Sequence, residues 1–297
     1  MNKEKAPLKQ DIAIIGMAGK FPMSNGIDEF WENMVQGRDC ISRRSAAETD
    51  DTIKYAYGAI SDPFMFDNAF FKINSIEAEA MSPQERLLLE ISFQALEDAG
   101  CVPDKFSGKI GIVCGAPENE YHNKIMIATQ STDDFEHIQF SDSSLVTRVA
   151  YKLNLTGPCI YLLTACATSL TAVHVACKIL SEREADVVLA GGANVYPNQD
   201  AYGIVEGLLS SDGVVRAFDK KGSGTVPSNG VAMIALKRLE DAIQEGDHIY
   251  AIIKGSAIGN DGNRKIGFTA PSLLGQIEVL DGALQASGIS PEEIDFI

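Results

Sequence analysis

Short apolar runs alternate along this chain with longer stretches whose apolar residues fall three and four apart, as strands and amphipathic helices taking turns would require. The runs are Ile12-Ala13-Ile14-Ile15, Ile110-Gly111-Ile112-Val113-Cys114, Cys159-Ile160-Tyr161-Leu162-Leu163, Asp186-Val187-Val188-Leu189-Ala190, Val231 to Leu236 and Tyr250-Ala251-Ile252-Ile253. Their Val and Ile content and their near absence of charge predict strands buried on both faces. The first is expected to give way to a turn over Gly16 to Pro22, and the fourth to stop at Gly191-Gly192, because glycine punctuates strands.

Helix signals lie between these runs. Asp28 is placed to cap a helix that carries Phe30, Trp31, Met34 and Val35 on one side and ends at Gly37. Ser82-Pro83-Gln84-Glu85 combines an N-cap serine, a first-turn proline and a glutamate positioned to close a capping box, ahead of Leu87, Leu88, Ile91, Ala95 and Leu96 and a stop at Gly100. Phe64, Phe66, Phe70 and Phe71 sit in a segment without regular periodicity and read as aromatic packing beneath a loop. Ser272 to Ser287 reads as an amphipathic helix with Leu273, Ile277, Leu280 and Leu284 inward, and Ile294-Asp295-Phe296-Ile297 as the start of a strand. Strands alternating with helices indicate an α/β layered fold.

One junction carries candidate chemistry. Thr164-Ala165-Cys166-Ala167-Thr168-Ser169-Leu170 lies between the strand Cys159 to Leu163 and a helix with Leu170, Val173, Cys177 and Leu180 in register, apolar nearly all round and therefore expected at the centre of the fold. A cysteine at a helix N-terminus feels the macrodipole and free N–H groups, which favour the thiolate and lower its pKa from about 8.5. The residues alone leave Cys166 as either a nucleophile or a packed core thiol. No partner base is evident: His174, two turns along the same helix, reads as a core histidine, and His122, His137 and His248 lie in polar surroundings. His174 and Cys177 share a helix face but find no second pair, which argues against a metal site.

Length and composition narrow the class. A chain of 297 residues can bury roughly 75% of its unfolded surface, as one large domain or two fused halves. The formal net charge of -16 argues against nucleic acid or an anionic membrane as partner. The six cysteines include no Cys-x-x-Cys pair and lie mostly in apolar runs, as reduced thiols would, which makes the cytoplasm the expected location. The uncharged run between Lys152 and Lys178 is split by Gly157-Pro158 and dotted with Thr, Ser and His, so it reads as strand plus helix rather than a membrane span. Met1 to Lys5 has no apolar stretch behind it and is not expected to act as a signal peptide. Neither Gly222 to Gly230, nor Gly259 to Asn263, nor Gly16 to Lys20 has the spacing of a nucleotide-binding loop.

A set of ordered motifs then resembles a known family, the ketosynthase (β-ketoacyl synthase) domain of modular polyketide synthases and hybrid peptide-polyketide synthases. They are Ile12 to Met17 with Phe21-Pro22, Pro83 to Glu90 with Ala95 to Gly100, Leu155-Thr156-Gly157-Pro158, Thr164-Ala165-Cys166, Leu189 to Gly192, Leu209 to Gly213 with Phe218-Asp219, and Gly267-Phe268-Thr269-Ala270-Pro271. The resemblance implies a thiolase-like fold in five αβαβα layers and a homodimer, with Cys166 as the nucleophile and its backbone N–H as an oxyanion-hole donor. On that basis residues 1–9 form a polar tail, 10–268 the N-terminal half and 269–297 an incomplete beginning of the C-terminal half. The family's two catalytic histidines would lie beyond Ile297.

The sequence departs from the family at Leu163, where Asp is common, at Ala167-Thr168-Ser169 in place of three serines, and at Ser228-Asn229-Gly230 in place of Gly-Glu-Gly. The resemblance further implies acyl substrates held on the phosphopantetheine of acyl carrier proteins, other polyketide synthase domains as partners, and no bound cofactor or metal. Two functions stay open at this point, while a third, another thiolase-fold enzyme, is disfavoured by the match through Pro83 to Glu90. One is a condensing enzyme that residues 1–297 alone do not complete; the other is a non-catalytic ketosynthase-like partner or docking scaffold.

Overall fold

The computed structural model describes residues 11–44, 53–118, 121, 124, 144–268 and 270–296. Its centre is a mixed sheet of β1 (Ile12–Lys20), β2 (Ile110–Gly115), β3 (Cys159–Tyr161), β4 (Val187–Asn194), β5 (Gly230–Arg238) and β6 (Ala251–Ile253), in the spatial order β6-β1-β5-β4-β2-β3. β2 runs parallel to β3 and β4, while β5 is antiparallel to β4 and β1, and β6 is antiparallel to β1. The helices are α1 (Ile27–Val35), α2 (Ser75–Ala80), α3 (Pro83–Asp98), α4 (Leu145–Lys152), α5 (Thr168–Ser181), α6 (Leu239–Glu245) and α7 (Leu273–Ser287).

Strand alternation divides the core in two. Ile110, Ile112, Leu189 and Met233 point to the side covered by α3 and α4, where Leu88, Leu89, Leu145 and Val149 meet them. Val113, Val188, Ala190 and Leu236 point the other way, onto Ala172, Ala176 and Leu180 of α5. Both faces are therefore apolar, the pattern of a sheet enclosed by helices. Each fully buried aliphatic side chain contributes about 1.5–3 kcal/mol relative to leaving it in water.

α3 begins as its sequence predicts: Ser82 Oγ accepts from the Glu85 N–H while a Glu85 carboxylate oxygen accepts from the Ser82 N–H. The rings of Phe66, Phe70, Phe71 and Phe93 pack in stacked and edge-on contacts, the aromatic cluster expected beneath that loop.

Six expectations need correction. β1 does not turn at Gly16 but continues to Lys20 through a register shift between Ile14 and Gly16. Gly16 is there for close helix packing, since a Cβ on it would sit 2.6 Å from the Ala95 carbonyl oxygen. Likewise β4 runs through Gly191-Gly192, because the neighbouring strand leaves room for nothing more: a Cβ on Gly191 would lie 2.0 Å from the Ala232 oxygen. α1 is capped by Gly26, with Asp28 inside its first turn; Trp31, Met34 and Val35 are exposed, and the buried residue is Asn33, which donates to the Met23 carbonyl and to Ser24 Oγ.

The fourth and fifth corrections lie at the C-terminal end. α7 meets the Gly255–Gly259 segment with its small residues Gly282, Ala283 and Ser287, so Leu273, Ile277 and Leu280 are exposed and Leu284 is half-buried. Pro291–Glu293 forms a 3-10 turn, closed by Ser290 and Glu293, and Ile294 to Phe296 form no strand. The sixth concerns α5, which is not enclosed all round: Leu170 is 76% exposed.

Candidate active site

β3 delivers the chain to the mouth of a cavity on the α5 side of the sheet. After Tyr161 the backbone leaves the strand, passes Leu162 to Thr164, and makes a single 3-10 turn over Ala165–Ala167 before α5 begins at Thr168. Ala165 has φ +51°, a left-handed conformation that a residue with a Cβ adopts only when its surroundings hold it there. The holding group is Thr168. Its Oγ1 accepts from the Thr164 N–H at 2.9 Å and donates to the Ala165 carbonyl at 2.7 Å. Thr164 Oγ1 and Thr171 Oγ1 add a further contact at 3.1 Å.

This turn leaves Cys166 exposed at the edge of a cavity of about 570 Å³, whose other walls include Phe21, Pro117, Leu163, Asn194 and Gly230. The closeness of strand and helix here depends on Gly115, where a Cβ would lie 1.7 Å from the Leu162 carbonyl oxygen. Phe21 is braced from outside by Phe30, ring centroids 4.4 Å apart.

The other thiols are in different environments. Burial pushes Cys101 and Cys177 up to about 11, and raises Cys114 and Cys159 as well. Such thiols stay protonated at neutral pH, and Cys101, Cys114 and Cys177 are buried as well, while Cys159 is half-buried. Cys40 is half-buried, with its sulfur 3.6 Å from the Arg38 carbonyl.

His174 lies on α5 away from the cavity wall, its Nδ1 2.9 Å from Ser256 Oγ. Burial, with Lys178 as a smaller cause, lowers its pKa, in keeping with a packed neutral imidazole. His248 is exposed and stands edge-on to Tyr250. His122 and His137 lie outside the described residues. Among the described residues, no histidine lines the cavity.

Sequence reasoning singled out the cysteine but not the residues that hold its turn. Thr168 was readable only as a helix residue, and its link to Thr164 across four positions becomes visible with the turn. Asn229, at the position that departs from the family, is 2% exposed and uses its whole amide. Its Oδ1 accepts from Tyr57 Oη and the Tyr196 N–H, and its Nδ2 donates to the Tyr196 carbonyl and Gln199 Oε1. The loop that carries it is thus tied to the segments at Tyr57 and Tyr196. Asn194 Nδ2 donates to the Ser228 carbonyl and ties the same loop to β4.

Comparison with known proteins agrees with the motifs. The family described as Beta-ketoacyl synthase, N-terminal domain, matches residues 9–242, and Beta-ketoacyl synthase, C-terminal domain, matches residues 250–297. Polyketide synthase PksL of Bacillus subtilis is 37% identical over 97% of this chain, which spans 7% of that relative. Polyketide synthase PksM of the same organism is 38% identical over 97% of this chain, which again spans 7% of that relative. Among solved structures, ketosynthase twelve of the bacillaene polyketide synthase of Bacillus amyloliquefaciens superimposes with a TM-score of 0.90 at 33% identity, covering 96% of this chain and 53% of that one. The module 6 ketosynthase of the bacillaene synthase of Bacillus subtilis gives 0.82 at 36% identity, over 96% of this chain and 49% of that one. The chain thus spans about half the length of the solved ketosynthases and a small fraction of the curated relatives. It belongs to the beta-ketoacyl synthase family, among the ketosynthases of modular polyketide synthases, and has their thiolase-like α/β fold.

Proposed function

We propose that this chain is the part of a polyketide ketosynthase that accepts the acyl group, with Cys166 as nucleophile. The observation that carries this reading is the position of Cys166: exposed on a held turn, at a helix N-terminus, on the edge of the cavity. The Cys166 sulfur attacks the thioester carbonyl of an acyl chain held on the phosphopantetheine of a carrier protein; the carrier thiol leaves with a proton, and the acyl group stays on Cys166. In this reading the Cys166 backbone N–H stabilises the oxyanion of the tetrahedral intermediate. In the second step a carrier-bound malonyl unit loses carbon dioxide, its carbanion forms the new carbon-carbon bond at the acyl carbonyl, and the Cys166 thiolate is released.

The partners that follow are acyl carrier proteins and neighbouring polyketide synthase domains, with no cofactor resident on this chain and a cytoplasmic location. A second copy pairs along β3, the strand at the outer end of the sheet, to give a homodimer. Loading and condensation separate in this reading. No imidazole of the described residues reaches the cavity, and loss of acid-base help costs typically 10²- to 10⁴-fold in rate. On the described residues, this chain is therefore expected to acquire an acyl group but not to condense. The test follows both steps by intact-protein mass spectrometry, using acyl and malonyl carriers and comparing this chain with one extended through a complete ketosynthase. Acyl mass that survives Cys166→Ala would refute the nucleophile. Equal condensation by the two chains would refute the division of labour.

A further inference from the structure

Among the described residues, none that lines the Cys166 cavity carries a charge. Its polar side chains are few and partly spent: Thr168 uses its hydroxyl to hold the turn, and Asn194 places its amide nitrogen on the Ser228 carbonyl. The residue at 163 is where this chain differs from its family, which commonly has Asp before Thr-Ala-Cys and here has leucine. Ile160 and Leu162 pack into the core against α5, whereas Leu163 is 51% exposed and forms part of the cavity wall together with Cys166. A carboxylate at 163 would stand close to the sulfur along the chain, and the field of a charge reaches about 8 Å at physiological ionic strength whichever rotamer carries it. Leucine removes that field.

We propose that Leu163 is a specificity-determining residue that keeps the Cys166 cavity uncharged, so that the chain takes neutral, apolar acyl thioesters and discriminates against acyl groups that end in a carboxylate or an ammonium. The inference rests on the reading of Cys166 as the acylated residue. A charged group entering this cavity exchanges water for walls that offer no counter-charge, and removing an unpaired charge from water is strongly disfavoured for either sign. An aspartate at 163 would separate the two signs, drawing cations toward the sulfur and repelling anions, because the Coulomb energy changes sign with the charge of the visitor. Leucine treats both alike and offers apolar surface to an uncharged chain.

The experiment compares the full chain with Leu163→Asp, Leu163→Lys and Leu163→Asn. One set of reagents is the N-acetylcysteamine thioesters of pentanoic acid, glutaric acid and 4-(trimethylammonio)butanoic acid, which are similar in length and neutral, anionic and cationic in turn. The other is a pair of methanethiosulfonates carrying an ethylsulfonate or an ethyltrimethylammonium group. Modification of Cys166 is followed by peptide mass spectrometry, each rate is divided by that of the same reagent with N-acetylcysteine, and folding is checked by Tm. The parent chain should take the pentanoyl thioester about tenfold faster than either charged one, since neither charge finds a partner in the cavity. Leu163→Asp should raise the ratio of cationic to anionic methanethiosulfonate by about three- to tenfold, Leu163→Lys should lower it by a similar factor, and Leu163→Asn should leave it at the parent value. An unchanged ratio in both charged variants would overturn the proposal. So would a shift in Leu163→Asn as large as in Leu163→Asp, which would trace the effect to shape rather than charge, or a parent chain that takes the charged thioesters as readily as pentanoyl, the result that decides if the charged variants do not fold. If the parent chain accepts no thioester, the acyl-transfer reading fails by itself, and the methanethiosulfonate ratios still decide whether Leu163 sets the charge of the cavity.

Discussion

Thr168 Oγ1 closes the turn around Cys166 by accepting from the Thr164 N–H at 2.9 Å and donating to the Ala165 carbonyl at 2.7 Å. One hydroxyl, 8% exposed on its residue, therefore holds both sides of a left-handed alanine. Thr168→Val keeps the shape and removes both bonds, leaving the Thr164 N–H without its acceptor. Thr164 is itself exposed, so water can take over part of the lost bond and the cost falls at the low end of that for a lost hydrogen bond, about 0.5–1.5 kcal/mol. We expect destabilisation of that order in urea titrations and slower acylation of Cys166, both largely restored in Thr168→Ser. Unchanged Cys166 reactivity in Thr168→Val would show that the turn holds itself.

Cys166 should be the first thiol to react. Cys101 and Cys177, pushed up to about 11, present roughly one thiolate in a thousand at pH 8 in addition to being buried. Burial raises Cys114 and Cys159 in the same direction. Limited iodoacetamide treatment of folded protein, followed by peptide mass spectrometry, should mark Cys166 ahead of these four. Cys40, half-buried, is the competitor to watch: labelling there with Cys166 untouched would be the contrary result.

The parts of the fold that were legible in the sequence are those decided locally. The Ser82 to Glu85 capping box needs only four consecutive residues, and the strands Ile110 to Cys114 and Val231 to Leu236 only their own apolar content. What the sequence hid depends on neighbours distant in the chain. Gly16 and Gly191 look like breaks, yet each sits inside a strand because a helix or a second strand comes too close for a Cβ. The leucine row of α7 has helical spacing, but which face packs was decided by Gly255 and Ala257, which accept only small partners. At the site the same division holds. The strand-to-helix junction marked Cys166, whereas Phe21, Asn194 and Gly230 reach its cavity from three other strands or loops and carry no common signal.

Asn229→Asp should be far more disruptive than its small change in shape suggests. The amide donates to the Tyr196 carbonyl and Gln199 Oε1, and a carboxylate would set an oxygen against both acceptors. Removing a partner from a buried, fully used polar group costs about 1–3 kcal/mol, more when a charge is introduced. The new carboxyl would bind its proton more tightly folded than unfolded, so the penalty is largest at neutral pH and shrinks as the pH falls toward about 4, the ordinary carboxylate value. Urea titrations of the parent and variant between pH 4.5 and 7.5 (on the order of the range where both stay folded) should converge toward the acidic end. Parallel curves would mean that the loop rearranges to admit the charge.

His174 supplies a test in the opposite chemical sense. Burial first, and Lys178 second, lower its pKa, and its Nδ1 contact with Ser256 Oγ joins α5 to the segment leading into α7. A histidine whose folded pKa lies below its unfolded value of about 6.5 binds fewer protons when folded, so stability rises with pH across that interval. The contribution is complete above about pH 6.5 and is lost as the pH falls through the folded-state value. His174→Gln keeps a hydrogen-bonding side chain toward Ser256 but cannot titrate. Between pH 7.5 and 5.5 (about one unit either side of the ordinary histidine value) the parent chain should therefore lose stability faster than the variant in urea unfolding followed by circular dichroism. The slopes should coincide above the window. If they coincide within it as well, the imidazole titrates alike in the folded and unfolded chains, and His174 is not the packed neutral side chain described here.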